Sequence, residues 1–420
     1  MVKKNVDGWR ERAKYGADAS AGVSGSLPLP FPREMGYNTM NYLKEVVDSG
    51  LTSDMISRFE ERFAREMGVK HCVATPGCTP ALAVLAAAFD FDPGDEIIVS
   101  SVTDFGTVQG LISQNYIPVF ADTEPGTLII NSETIQPCIS DRTRAILVVH
   151  KTGTICDMDA INELAGKHDL IVYEDVCQAT FGEYKGRYAG SLALAGGFSF
   201  DSEKTMGSDI GGCVVTNDDE LNEKMRFVGH SRGGQMLDGF GRLHMVNGFA
   251  HRMPMCTAAV SLAQLEIIKP NVAQRDKMIR ILSEKLDSIP GISTPPIPEY
   301  MNVYSCWMAG FSIDPEVFDC SSDTFAQEVL DAGIPGAGLG RYYLIPAALP
   351  FLSQKAEKNI FPYSMPPASR SYIYDGDSCP NAQEFLDTYI RWSSFCERYT
   401  AEDCNIAASI VASVAEKYRR

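Results

Sequence analysis

The chain has 420 residues, 45% of them apolar and 22% charged, an ordinary globular composition at a length that calls for more than one compact unit. A formal net charge of −17 gives an acidic surface that repels polyanions, which excludes nucleic acid and anionic membranes as partners. The twelve cysteines are scattered without a CxxC pair or metal-ligand spacing, and no apolar stretch approaches the ~20 residues of a membrane span, so a reducing cytoplasm is the expected compartment.

Residues 1–37 read as an N-terminal arm: a charged opening without the apolar core of a signal segment, then small residues, then Leu27-Pro-Leu-Pro-Phe-Pro32. Prolines at that density favour an extended path, and residues 1–25 could equally be a disordered tail. Tyr42, Val46 and Val47, then Ile56, Phe59, Phe63 and Met67, recur at helical steps. His71–Ala74 is a short strand that leads through Thr75-Pro-Gly-Cys-Thr-Pro-Ala-Leu82 into an Ala/Leu-rich helix ending near Phe89. Thr79 is expected as its N-cap and Pro80 at its first helical position. A loop that feeds a helix N-terminus in this way can cradle a phosphate.

Strands are expected at Asp95–Ser101, Ile117–Ala121 and Ala145–His150, with helices at Thr107–Ser113 and Asp159–Ala165. Leu170–Tyr173 is an apolar run that ends on two carboxylates, Glu174 and Asp175, with Gln178 just beyond. Gly196–Phe200 leads to Lys204 in a loop of small and polar residues, and Gly212–Thr216 resumes as strand. Seven strands with helices between most of them, over residues 38–270, describe a doubly wound α/β unit with a mostly parallel sheet. The loop 229–252, rich in Gly, His and Arg, is too long to be a plain connection. A long helix is expected from Cys256 to Leu286 with a break near Pro270, and residues 271–420 read as a smaller α+β unit. That unit holds a strand at Trp307–Ser312, a helix at Phe325–Ala332, a flexible turn at Gly336–Gly340 and a terminal helix capped by Thr400.

Carboxylates and a lysine at strand ends, with glycine-rich loops between, occupy the place where open α/β sheets put ligand sites. One chemistry uses that pair: pyridoxal 5′-phosphate, whose aldehyde takes the lysine amine and whose ring nitrogen takes an aspartate. A lone lysine is usually a solvated surface charge; the combination of Lys204 with Asp175 is what gives it meaning.

The stretch from Ile171 to Gly212, with EDVCQA, GGFSF, Lys204 and Gly211-Gly212, resembles the DegT–StrS type of sugar aminotransferases, of the fold-type-I pyridoxal-phosphate superfamily. The resemblance covers roughly Leu43–Gln264, with a looser C-terminal third, and implies the seven-stranded sheet of that fold. It implies Lys204 as the Schiff-base lysine, Asp175 as the partner of the pyridine nitrogen, Gln178 near the ring hydroxyl and Ser199 on the phosphate. Cys78 and Thr79 fall in the phosphate loop, and Arg252 in a segment that in the family reaches the neighbouring subunit of a homodimer with shared active sites. The segment FSFDSEKT is closer to the subgroup that includes 8-amino-octulosonate transaminase. The implied reaction moves an amino group from glutamate or glutamine to the carbonyl of a keto-sugar, cyclitol or octulosonate.

Several positions depart from the family pattern: Cys78 and Pro80 in the phosphate loop, Asp209-Ile after the lysine, and Ala250 where an asparagine is usual. Asp104 occupies the place of the ring-stacking aromatic, unless the register shifts by one and Phe105 takes it. These departures leave open another reaction on the same cofactor (elimination, decarboxylation or cyclisation) or a non-catalytic subunit paired with a homologue. His150 reads as a hydrogen-bonded structural histidine at least as readily as a catalytic one. For a substrate carboxylate, Arg226, Arg232 and Arg252 are the candidate arginines, none in a C-terminal clamp context; the loop 229–247 and the phosphate-side helix would wall a hydroxyl-rich acceptor.

Overall fold

The computed structural model describes residues 27–230, 236–237, 241–242 and 247–420. The disordered-tail reading of residues 1–25, Arg232 and most of the loop 229–247 therefore lie outside the described residues.

A seven-stranded sheet organises the molecule. Its strands are β1 (His71–Thr75), β2 (Glu96–Ser100), β3 (Ile117–Ala121), β4 (Thr143–Val149), β5 (Ile171–Asp175), β6 (Ala195–Ser199) and β7 (Gly212–Thr216). They lie in the order β1-β7-β6-β5-β4-β2-β3. The five strands from β6 to β3 run parallel, and β7 pairs antiparallel with both β1 and β6. The strands are apolar on both faces because both faces are covered, as a parallel sheet requires. Val73, Val99, Leu147, Tyr173 and Val214 meet the helices α2 (Cys78–Phe89) and α3 (Phe105–Ser113) on one side. Ala74, Ile98, Val148, Val172 and Phe198 pack on the other side with Phe59 and Phe63 of α1 (Met55–Met67).

Beyond the sheet, α4 (Asp219–His230) is followed by α5 (Met255–Gln264) and α6 (Ile268–Asp287). The expected single long helix thus breaks at 265–267, not at Pro270. Pro270 sits in the first turn of α6, where a missing N–H costs nothing. A four-stranded antiparallel sheet follows, built from Ile292–Ser293, Ala309–Ile313, Tyr389–Trp392 and Ala337–Leu339 in that spatial order. The last of these corrects the expected turn at Gly336–Gly340: Ala337–Leu339 pairs with Ile390–Trp392, and only Gly336 takes a turn conformation, at φ +73°. Glycine is depleted in strands, which hid this one. The terminal helix Ala401–Tyr418 carries the expected cap as a full capping box between Thr400 and Asp403. Residues 341–374 return to the large sheet, where Ile345, Leu352, Tyr363 and Tyr374 join the α2 side of the core. No helix among the described residues is long and apolar enough to cross a membrane.

Period-two alternation at the end of β5 sends two neighbouring carboxylates to opposite faces. Glu174 accepts hydrogen bonds from the backbone N–H groups of Gly190 (2.7 Å), Leu192 (2.8 Å) and Ala193 (3.0 Å), and meets His150 Nε2 at 2.9 Å. His150 Nδ1 accepts from the Cys156 N–H, which leaves the ring proton on Nε2 to donate to Glu174. His150 is thereby a structural residue. Glu174→Ala would strand three buried N–H donors at about 1–3 kcal/mol each, so a drop in stability of ~3 kcal/mol or more is expected in chemical denaturation. Asp159→Ala, which opens an exposed pair with Lys185, should leave the midpoint near wild type.

Candidate active site

Asp175 faces the α2–α3 side, into a cavity of about 350 Å³ at the C-terminal ends of the parallel strands. The lining includes Gly77, Cys78, Thr79, Asp104, Thr107, Asp175, Cys177, Ser199, Lys204 and Gly211. A cavity of similar size bounded by Glu124, Asp157 and Tyr300 has no lysine or arginine in its wall.

Asp175 is buried and fixed from two sides. Its Oδ1 accepts from the Cys177 N–H at 3.1 Å, and its Oδ2 from the Thr107 hydroxyl at 2.8 Å. Thr107 is oriented in turn by Thr103, 2.7 Å away. Cys78 Sγ lies 3.9 Å from Oδ1, and the ligand atoms of Cys78, Asp175 and Cys177 all fall within 4.8 Å of one another. Contact with the Cys177 thiol, then burial, pushes the Cys78 thiol well above its ordinary range. A thiol that keeps its proton is a poor metal ligand, and the set serves better as the surroundings of a protonated ring nitrogen.

The phosphate end is built by backbone. α2 begins at Cys78 with Gly77 as its N-cap, so Thr79 and Pro80 are its second and third residues, each two positions further into the helix than expected. Proline is tolerated there because first-turn N–H groups lack intrahelical partners anyway. Gly77 has no side chain to cap those donors, and they line the cavity. Gly211, at φ +146°, bridges to Gly77, and a Cβ on Gly212 would lie 2.4 Å from the Gly77 carbonyl carbon. Ser199 sits on the same wall, with its hydroxyl 3.4 Å from the Asp201 N–H. An uncapped helix N-terminus, a serine, a buried aspartate and a lysine around one cavity fit pyridoxal 5′-phosphate at both its charged ends.

Lys204 rides on the loop after β6 with its Nζ 3.8 Å from the centre of the Trp307 ring. Trp307 is pinned by its indole N–H, which donates to the Glu203 carbonyl at 2.8 Å. The loop is also clamped from the N-terminal arm: Arg33 donates to the carbonyls of Ser202 (2.9 Å), Lys204 (2.6 Å) and Thr205 (3.1 Å). Gln264 of α5 donates to the Gly207 carbonyl at 2.8 Å and accepts from the Gly36 N–H at 3.0 Å, tying arm, helix and loop together.

The remaining sequence candidates are dispersed. Gln178 is buried next to the cavity, its side-chain carbonyl accepting from the Thr152 N–H at 2.7 Å. Asp104 caps α3 by accepting from the Gly106 N–H and lines the cavity. Phe105 is 39% exposed and packs edge-on against Phe351, outside the cavity wall. Arg252 is exposed and away from this chain's cavity. Arg226 is engaged by Glu60 and the Cys72 carbonyl, so it is structural. Sequence reasoning missed Arg33, Thr107, Cys177, Trp307 and Lys151. Only Lys151 left a signal, as a lysine directly behind an apolar buried strand.

The sheet and the Asp175–Lys204 cavity define a fold-type-I aminotransferase, an enzyme of the pyridoxal-phosphate transaminase type. The chain belongs to the DegT/DnrJ/EryC1/StrS aminotransferase family, whose model matches residues 34–372. It is similar to GDP-perosamine synthase of Caulobacter vibrioides, 35% identical over 286 residues that cover 67% of this chain and 76% of that one. GDP-perosamine synthase of Vibrio cholerae is 28% identical over 374 residues, 88% of this chain and 95% of that one. Among solved structures, an aminotransferase from Psychrobacter cryohalolentis superposes with a TM-score of 0.80 at 25% identity, covering 93% of this chain and all of that one.

Arg33 lies just ahead of the family-matched segment, yet three loop carbonyls around Lys204 depend on it. Arg33→Ala is expected to keep the secondary structure and lose cofactor occupancy, read as visible absorbance per protein. Arg33→Lys, a point charge in place of a planar fork, should restore it only in part.

Proposed function

We propose that this chain transfers an amino group from glutamate or glutamine to the ketone or aldehyde of a sugar-like acceptor: a keto-sugar, cyclitol or octulosonate. The observation that carries the reading is the convergence of Asp175 and Lys204 on one cavity that also holds an uncapped helix N-terminus. The likeness to GDP-perosamine synthases supports a carbohydrate-derived acceptor.

Pyridoxal 5′-phosphate, when bound, supplies an electron sink for the electrons left on the substrate carbon that loses its proton. The chain's own groups do the rest. Asp175 keeps a proton on the ring nitrogen, with Thr107 and the Cys177 N–H fixing the carboxylate for that task. The first turn of α2, through Cys78 and Thr79, holds the phosphate together with Ser199. Gln178, its carbonyl committed to Thr152, keeps its amide N–H₂ as the donor that would serve the ring hydroxyl. Asp104, which lines the cavity while Phe105 does not, would stand beside the ring and take part in proton or substrate handling. Lys204 receives the proton from the substrate carbon and returns it to the cofactor side, as general base and then acid. Trp307 and the clamped loop keep water from that exchange.

Lys204→Ala should abolish the visible absorbance of the lysine-linked cofactor. The wild-type protein should convert its cofactor to the amine form on addition of glutamate or glutamine, then lose that form to a keto-sugar, cyclitol or octulosonate. Release of CO₂ or a β-substituent from the amino acid, with no acceptor consuming the amine form, would move the assignment to another reaction on the same cofactor. An inert cofactor would make the chain a non-catalytic subunit.

The working unit we infer is a homodimer with shared active sites, in which Arg252, exposed and outside its own cavity, serves the partner's site. A two-fold pair is the commonest oligomer symmetry. Sedimentation at assay concentration should give the mass of two chains; a fully active monomer would refute this.

A further inference from the structure

Lys151 is buried to 1% exposure directly after β4, and its Nζ has no hydrogen-bond partner. It lies over the ring of Tyr343, whose centre is 3.1 Å away. The charged and titratable groups that face it are Cys177, Lys204, Asp104 and Asp175, all four on the wall of the cofactor cavity. None of the carboxylates is within 4.0 Å, so none pairs with it. A ring face attracts a cation, but less strongly than the water lost on burial. Burial accordingly drives the amine down to about 7, with the Lys204 charge adding to the shift and Cys177, Asp104 and Asp175 opposing it.

The backbone holds this amine in place. Thr152 takes φ +56°, a region L-residues seldom adopt, with its N–H bonded to Gln178. A strained turn that buries an unpartnered lysine beside a catalytic cavity calls for a ligand to complete it. The phosphate has its own cradle at α2, and the ring nitrogen has Asp175. Tyr343 and Trp307 belong to one apolar cluster, so the Lys151 amine lies just behind the cavity wall, over a ring packed in the same cluster as the one under the Lys204 amine. A second cation, Arg391, approaches the Tyr343 ring to 6.0 Å, and its buried Nε is also without a partner.

We propose that Lys151 is the receptor for a substrate carboxylate at the reacting end of the cavity, a reading that rests on the aminotransferase assignment above. The carboxylate is that of the donor amino acid or an acid group on the acceptor. Entry of the anion turns the amine into a paired ammonium, and Lys151 supplies, from beside the cavity, a fixed cation that neither Arg226 nor Arg252 offers there.

The test uses the holoenzyme, with glutarate, the amine-free analogue of glutamate, as the probe. Lys151→Met should keep the visible absorbance of the cofactor, weaken glutarate binding in calorimetry at least ~10-fold and raise the KM for glutamate by a similar factor, with kcat changed much less. If glutarate and glutamate are untouched, but a carboxylated keto-sugar loses ~10-fold against its carboxyl-free analogue, the carboxylate is the acceptor's and the proposal stands. Equal affinity of both proteins for all of these ligands overturns it. So does loss of cofactor absorbance in a folded Lys151→Met, which would assign the amine to the cofactor. Should that variant not fold, the wild-type profile decides: glutarate affinity should fall ~10-fold per pH unit once the ammonium is lost above about pH 7, and a flat profile overturns the proposal. Glutarate binding is read without turnover, so an enzyme inert to every amino donor would fail the functional reading and leave this one decided separately.

Discussion

Two buried carboxylates, side by side at the end of β5, set the terms for everything around them. Each must find donors, because an ionised group taken out of water without partners is costly. Glu174 is saturated by three backbone N–H groups and His150, and so is committed to structure. Asp175, on the other face, holds one backbone N–H and one hydroxyl and keeps capacity for another donor. That difference in satisfaction separates a structural acid from a functional one. It is created by the pleat of a single strand and by the loop 190–193 that folds beneath it.

Lys204 depends on the opposite arrangement, in which a loop borrows its order from elsewhere. Few of its own residues are large or apolar, so local propensity does little to fix it. Arg33 from the arm, Gln264 from α5 and Trp307 from the strand region that follows each contribute one or more hydrogen bonds to its carbonyls. These contacts span 57 to 172 residues of sequence. They hold the loop in place, and the Lys204 side chain extends from it onto the Trp307 ring. For the role proposed for Lys204, such an externally fixed base sets where the amine can reach.

What could be read from sequence follows the same division. The sheet was legible because parallel strands covered on both faces are continuous apolar runs, as in Ala145–Val149. The Asp175–Lys204 pair was legible because the strand-end motif is local. Long-range devices left no trace: nothing in the arm marks Arg33 as a clamp, and Trp307 is one aromatic among many. Periodicity placed the helices but not their breaks, and Pro270 drew attention to the wrong residue because proline is permitted in a first turn. The shift of the α2 cap from Thr79 to Gly77 is the more instructive miss. A side-chain cap would have satisfied the N–H groups that an anion needs, so the residue that looked like the better cap was the one the site could not use there.

The two lysines of the cavity make the final point about environment and role. Both amines lie against an aromatic ring, and Asp104 and Asp175 on the cavity wall face Lys151 without pairing with it. Lys204 sits half-buried on a loop, with its amine over the Trp307 ring. Lys151 leaves a buried strand and enters a turn strained at Thr152, at a cost of about 1–3 kcal/mol, so its direction is set before any ligand arrives. A group with one available position cannot shuttle a proton between two atoms, but it can hold an anion that must not move. In the proposed division, the covalent work falls to Lys204 on its loop and recognition to the fixed Lys151.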